Sequence, residues 1–206
     1  MTSSAGAGTP NNRQLHKFGG SSLADARCYQ RVASIMADYS QPGDMMVVSA
    51  AGSTTNQLIS WLKLSQSDRL SAHQVQQTLR RYQSELISAL LPAEIAEPLI
   101  TAFIRDLEKL AALLDGDVTE AVYAEVVGHG EIWSARLMSA VLNQQDLHAC
   151  WLDARDFLRA ERAAQPQVDE GKSWPLLQTL LAQHPHKRIV VTGFICGKDA
   201  GETVLL

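Results

Sequence analysis

The chain has 206 residues, 18 Lys+Arg against 22 Asp+Glu, 46% hydrophobic residues and 19% charged residues. That composition is globular: too apolar and too weakly charged for disorder, and long enough to bury a core. A net charge of −4 argues against a nucleic-acid or anionic-membrane surface, while leaving room for a local anion site in a cleft.

The three cysteines, Cys28, Cys150 and Cys196, are far apart and form no CxxC. This excludes a zinc ribbon or a disulfide framework and fits a reducing, cytoplasmic setting. No run of 18 apolar residues exists, so no transmembrane helix is expected. Residues 1–12 are rich in Ser, Gly, Ala and Thr, with neither a basic nor an apolar region, and read as a flexible leader.

Leu15 to Phe18 predicts a strand running into Gly19-Gly20-Ser21-Ser22. Cys28, Val32, Ile35, Met36 and Tyr39 then recur at helical spacing, with Ser21 or Ser22 as the expected cap and Asp25 in the first turn. Gln41-Pro42-Gly43-Asp44 is a turn, and Met45 to Ser49 is an apolar run that predicts a strand buried on both faces. Strand, helix and strand form a βαβ unit with a parallel sheet. Ala50 to Thr55 reads as a loop of small residues opening a helix marked by Leu58, Ile59 and Leu62.

Two more helices follow, one over Val75 to Leu90 and one over Ile95 to Leu114, expected to pair as an antiparallel hairpin. A fourth spans about Glu120 to Asn143, its pattern interrupted at Gly128-His129-Gly130. Ala149 to Leu152 predicts a strand, Leu176, Leu177, Leu180 and Leu181 a helix face, and Arg188 to Ile195 one buried strand. Gly197 to Gly201 reads as a turn into a last strand over Glu202 to Leu206.

Chemistry concentrates in a few segments. In Lys17-Phe18-Gly19-Gly20-Ser21-Ser22, a strand delivers a lysine to its carboxyl end, glycines admit close backbone approach, and a helix start offers free N–H donors. This is a phosphate cradle at the customary place on an α/β sheet, though neither a P-loop nor a GxGxxG fingerprint. The bland alternative is a glycine-tightened turn with a solvated lysine. Ser49 to Asn56 offers hydroxyls and N–H groups to a carboxylate, or ordinary capping by Thr54 or Thr55. Two glycines inside a helix, Gly128 and Gly130, cost about 1 kcal/mol each. They point to close packing or ligand approach beside Glu131, a candidate for a substrate ammonium. His184-Pro185-His186 reads as a polar loop rather than a metal site, and Asp153-Ala154-Arg155-Asp156 as an internal ion pair. No metal ligands are assigned.

Taken together and in order, Lys17 to Ser22, Val47 to Asn56, Gly128 to Glu131 and Val191 to Ile195 resemble aspartate kinase. The stretch from about Arg13 to Leu206 is similar to the N-terminal part of the bifunctional aspartokinase–homoserine dehydrogenases of enteric bacteria. The resemblance implies the amino-acid kinase (carbamate kinase-like) fold, an αβα sandwich around a mainly parallel sheet. It implies ATP- and Mg²⁺-dependent phosphorylation of the β-carboxylate of L-aspartate, the first step toward lysine, threonine and methionine. NADP would belong only to a dehydrogenase part absent here.

By the same resemblance, Lys17 would bridge the transferring phosphoryl group, with Gly19, Gly20 and Ser21 on the phosphates. Ser49 and Thr55 would help bind aspartate, and Glu131 would meet its α-ammonium. L-aspartate, ATP and further copies of the chain are the expected partners, without nucleic acid or membrane. The family continues into a Gly-Arg-Gly-Gly-Ser-Asp-type motif and a nucleotide-binding half that this sequence lacks. The chain is therefore expected to be a truncated N-terminal lobe with little turnover alone. A non-catalytic assembly module, and a kinase for another small carboxylate or carbamate, remain open as alternatives.

Overall fold

A computed structural model describes residues 13–161, 165–198 and 201–206; the expected leader and part of the Gly197–Gly201 turn lie outside them. The elements are β1 (Leu15–Phe18), α1 (Ala26–Tyr39), β2 (Met45–Val48), α2 (Thr54–Ser65), α3 (Arg69–Leu90), α4 (Ala93–Leu114), α5 (Glu120–Gln144), β3 (Ala149–Leu152), α6 (Ala154–Phe157), α7 (Glu170–Ala182), β4 (Arg188–Thr192), β5 (Ile195–Gly197) and β6 (Thr203–Leu205).

The main sheet is parallel throughout, in the order β1-β2-β4-β3. The β1–α1–β2 and β3–α7–β4 crossovers run in opposite directions along it. Right-handed connections therefore place α1 and α7 on opposite faces. Side-chain alternation in β2 shows this directly. Met46 and Val48 pack with Tyr29, Val32 and Met36 of α1 and with Met138 and Leu142 of α5. Met45 and Val47 turn the other way, toward Leu177, Leu180 and Leu181 of α7. The result is the expected αβα sandwich, with the sheet buried on both faces.

A second apolar core sits beside the sandwich, where Leu58, Trp61 and Leu79 meet Phe103, Leu107 and Leu110. The expected α3–α4 pairing belongs to this layer. α5 joins both cores, and every residue from Val126 to Ala135 is buried. A helix buried all round shows no amphipathic stripe, which explains its interrupted pattern. It stays continuous through Gly128 and Gly130 because neighbours press close. A Cβ on Gly128 would lie 2.7 Å from Ile195 Cγ2, and one on Gly130 would lie 2.8 Å from Ala50 Cβ.

Several boundaries differ from expectation. The cap of α1 is Asp25, whose carboxylate accepts from Cys28 N–H at 2.8 Å. Ser21 and Ser22 instead lie in a 3₁₀ turn, Gly20–Leu23, closed by Ser22 N–H donating to Gly19 O. α2 starts at Thr54, inside the expected loop, and its cap position is Ser53 rather than either threonine. The apolar run 188–195 is not one strand. It breaks at Gly193-Phe194, where Phe194 takes φ 60° and Ile195 N–H donates to Gly193 O. That kink sends β5 out of the main sheet to pair antiparallel with β6.

The short α6 had no periodic signal in four residues. Arg155 in it forms the expected pair with Asp153 at 2.7 Å. It also reaches Glu125 of α5 at 2.9 Å and Thr203 of β6 at 3.0 Å, which sequence spacing could not reveal. Burial opposes the charge of Arg155, but Asp153 and Glu125 outweigh it and raise its pKa.

Candidate functional site

The carboxyl ends of β2 and β4 diverge at the point where the crossover direction reverses. Open α/β sheets bind ligands in such a crevice. Five of the seven residues singled out in the sequence meet there. Lys17, Gly20, Ser49, Thr55 and Glu131 line one cleft of about 470 Å³, together with Val47, Ala50, Gly52, Gly193 and Phe194. Gly19 and Ser21 flank it without lining it.

The cleft is assembled from three directions. From β1 comes Lys17, level with Val47 in the sheet and exposed at its head. After it, the loop is stitched to the one following β2: Ser49 N–H donates to Phe18 O at 3.1 Å, and Gly52 N–H to Gly20 O at 3.1 Å. Gly20 is required by this approach, since a Cβ there would lie 2.9 Å from Ala50 O. Gly52 turns the second loop with φ +52°.

Two helix starts open on this side, the 3₁₀ turn at Gly20 and α2 at Thr54, and neither has a side-chain cap bond. α1, α3, α5, α6 and α7 are capped by Asp or Thr side chains, and α4, which follows Pro92, also lacks a side-chain cap bond. Neither Thr54 nor Thr55 therefore serves as the ordinary cap.

From α5 comes Glu131, 3% exposed. Its Oε2 has no hydrogen-bond partner of normal geometry. Burial pushes its pKa up to about 7, against the pull of the Ala50 and Gly193 amides and the charge of Lys17. Gly193 closes the wall above it, where a Cβ would lie 3.0 Å from Val48 O and 3.4 Å from Glu131 Oε2. Neighbouring His129 is turned elsewhere, with Nδ1 2.8 Å from Glu125 O.

The cleft thus has two poles. One carries an exposed ammonium and uncapped helix starts, suited to phosphate or carboxylate oxygens. The other holds a buried carboxylate whose Oε2 lacks a hydrogen-bond partner of normal geometry, suited to a cation or an ammonium. Among the described residues, no group of three or more His, Cys, Asp or Glu is placed to hold a metal ion. A hollow of about 180 Å³ by Trp61, Arg69 and His73 lies in the helical layer, remote from the sheet's carboxyl ends. Also among the described residues, no helix is long and apolar enough to cross a membrane.

Gly193 and Phe194 were not assigned a role from the sequence. Their signal was the Thr-Gly-Phe interruption of an otherwise apolar run. The buried setting of Glu131 had only an indirect signal, its flanking glycines.

Residues 12–206 match the model of the amino acid kinase family. The chain is 80% identical over 194 residues to bifunctional aspartokinase/homoserine dehydrogenase 2 of Escherichia coli K12, an alignment covering 94% of this chain and 24% of that protein. It is 28% identical to the chloroplastic bifunctional aspartokinase/homoserine dehydrogenase 2 of Arabidopsis thaliana, over 88% of this chain and 20% of that one. The fold superposes on E. coli aspartokinase III in complex with aspartate and ADP with TM-score 0.83 and 25% identity, covering 95% of this chain and 43% of that one. The chain thus spans about a quarter of the E. coli bifunctional relative and less than half of the solved kinase chain.

Proposed function

The chain belongs to the amino acid kinase family, and from that premise we propose that it forms the aspartate-binding lobe of an aspartate kinase, residues 13–206 being the N-terminal part of the kinase domain. The observation that carries this reading is Glu131: a buried carboxylate with an unpartnered oxygen, facing a cleft whose opposite pole is Lys17. An amino acid with a second carboxylate satisfies both poles at once. Its α-ammonium would pair with Glu131, Ser49 and Thr55 would hold carboxylate oxygens, and its β-carboxylate would point toward Lys17 and Gly20.

The reaction would transfer the γ-phosphoryl of ATP to a β-carboxylate oxygen, forming 4-phospho-L-aspartate and ADP. Such transfers need positioning and charge stabilisation more than covalent participation by the protein. Lys17 supplies charge where the transferring oxygens gather it, and Gly20 lets the backbone come close. This product opens the route to lysine, threonine and methionine. ATP and its Mg²⁺, together with further copies of the chain in a homo-oligomer, complete the partners of the cytoplasmic enzyme. The nucleotide-binding half, regulatory domains and dehydrogenase would lie in sequence beyond these residues. The 206-residue chain would accordingly bind aspartate with little turnover of its own.

Calorimetric titration of L-aspartate into the chain at pH 8 tests the reading. One site is expected, with affinity at least tenfold weaker in Glu131→Gln. Equal affinity in the two proteins would overturn it. A coupled ADP-release assay on the same chain is expected to show negligible rate, and robust turnover would refute the assignment of the nucleotide site to other residues.

A further inference from the structure

Adjacent residues on α3 reach both loops of the cleft from outside it. Tyr82 donates its hydroxyl to Ala24 O at 2.9 Å, at the end of the loop that follows β1. The same oxygen would lie 3.0 Å from a Cβ on Gly52, in the loop that follows β2. Gln83 is 3% exposed and donates from Nε2 to Thr54 Oγ1 at 2.9 Å, Thr54 being fully buried at the first turn of α2. Neither Tyr82 nor Gln83 lines the cleft. From the opposite side, α5 presses Gly130 against Ala50 and Thr54. The Ser49–Ser53 loop and the first turn of α2 are thus held between two helices, and one of them also grips the loop that follows Lys17.

We infer that Tyr82 and Gln83 are positioning residues that set the separation of the two loops, and with it the distance between the poles of the cleft. The inference rests on the reading of the cleft as a two-pole substrate site. Apolar packing of α3 would hold the fold together without fixing that distance, because it is not directional. Two hydrogen bonds to opposite loops have fixed length and direction. The α3–α4 hairpin then becomes the element through which any displacement of the helical layer is felt at the site.

Backbone amide hydrogen exchange followed by NMR, on Tyr82→Phe and Gln83→Met in the 206-residue chain without ligand, tests this. Exchange at Gly52 and Thr54 is expected to quicken at least tenfold, with Ile189 to Val191 in β4 unchanged. L-aspartate affinity is expected to fall about tenfold in the same variants. Unchanged exchange at Gly52, whose amide bonds Gly20 O across the two loops, and at Thr54 would overturn the inference, as would an equal rise in β4, which marks a purely structural loss. Tyr82→Phe removes one oxygen and keeps the test decisive if Gln83→Met does not fold. If the parent chain binds no aspartate, the functional reading falls, while the exchange rates still decide whether α3 clamps the loops.

Discussion

Glu131→Gln should make the protein more stable at alkaline pH while removing its ligand-binding carboxylate. Burial raises the Glu131 pKa from 4.5 to about 7. The native state therefore binds this proton more tightly than the unfolded chain. The stability linked to it is fully present below about pH 4.5 and is lost as pH rises through about 7. At about 1.4 kcal/mol for each tenfold change in proton affinity, the loss has a ceiling of about 3 kcal/mol. Glutamine carries no charge at any pH, and any packing offset it introduces does not depend on pH. Tyr29, which also feels the Glu131 charge, is pushed up chiefly by its own burial and stays protonated over this range. Urea unfolding at pH 4.5, 6, 7 and 8.5 should then show the variant gaining on the parent by about 2–3 kcal/mol between the extremes. A difference that stays flat across this range, or runs the other way, would refute the assignment to this cleft of a carboxylate whose burial outweighs its partners. Stability gained together with binding lost is the trade expected where a site keeps a group that only its ligand satisfies.

Lys17→Met should weaken L-aspartate binding by the chain less than about tenfold, because the ammonium is exposed and pairs only modestly with the β-carboxylate, while lowering kcat about a hundredfold or more in a complete kinase domain carrying it. Equal losses in both would contradict a role chiefly at the transferring phosphoryl group. Arg155→Met should cost about 3 kcal/mol in urea unfolding, at the low end for a buried ion pair because the side chain keeps 22% of its exposure. It removes the guanidinium shared by Asp153 and Glu125 and its bond to Thr203, leaving the direct Thr203–Glu125 bond as a polar link between β6 and α5. A loss under about 1 kcal/mol would show that the network is not a tether.

Local signals carried much of the architecture. The apolar runs at 45–48 and 149–152, and the stripes over α3 and α4, reflect single-face or two-face burial with a regular period. Elements whose limits depend on distant partners were less legible. β4 ends at Thr192 because the chain kinks at Gly193-Phe194, where Phe194 takes φ 60°, and the strand that follows pairs with β6, a partner no local pattern reveals. Asp25 displaced Ser21 and Ser22 as the cap because the preceding Gly-Gly-Ser-Ser closes its own turn. At the site, residue types and spacing pointed to Lys17, Gly20, Ser49, Thr55 and Glu131. What they could not convey is that α5 is buried all round from Val126 to Ala135, which takes Glu131 out of water with its Oε2 unsatisfied. Tyr82 and Gln83 carried no signal at all, since a tyrosine and a glutamine on an amphipathic helix are ordinary.

The most direct measurement is a crystal structure of the chain with L-aspartate. The α-ammonium is expected within hydrogen-bond distance of Glu131 Oε2 and the β-carboxylate toward Lys17 and Gly20, between the loops that follow β1 and β2. Aspartate bound in the reverse sense, or elsewhere with this cleft filled only by solvent at saturating ligand, would contradict it.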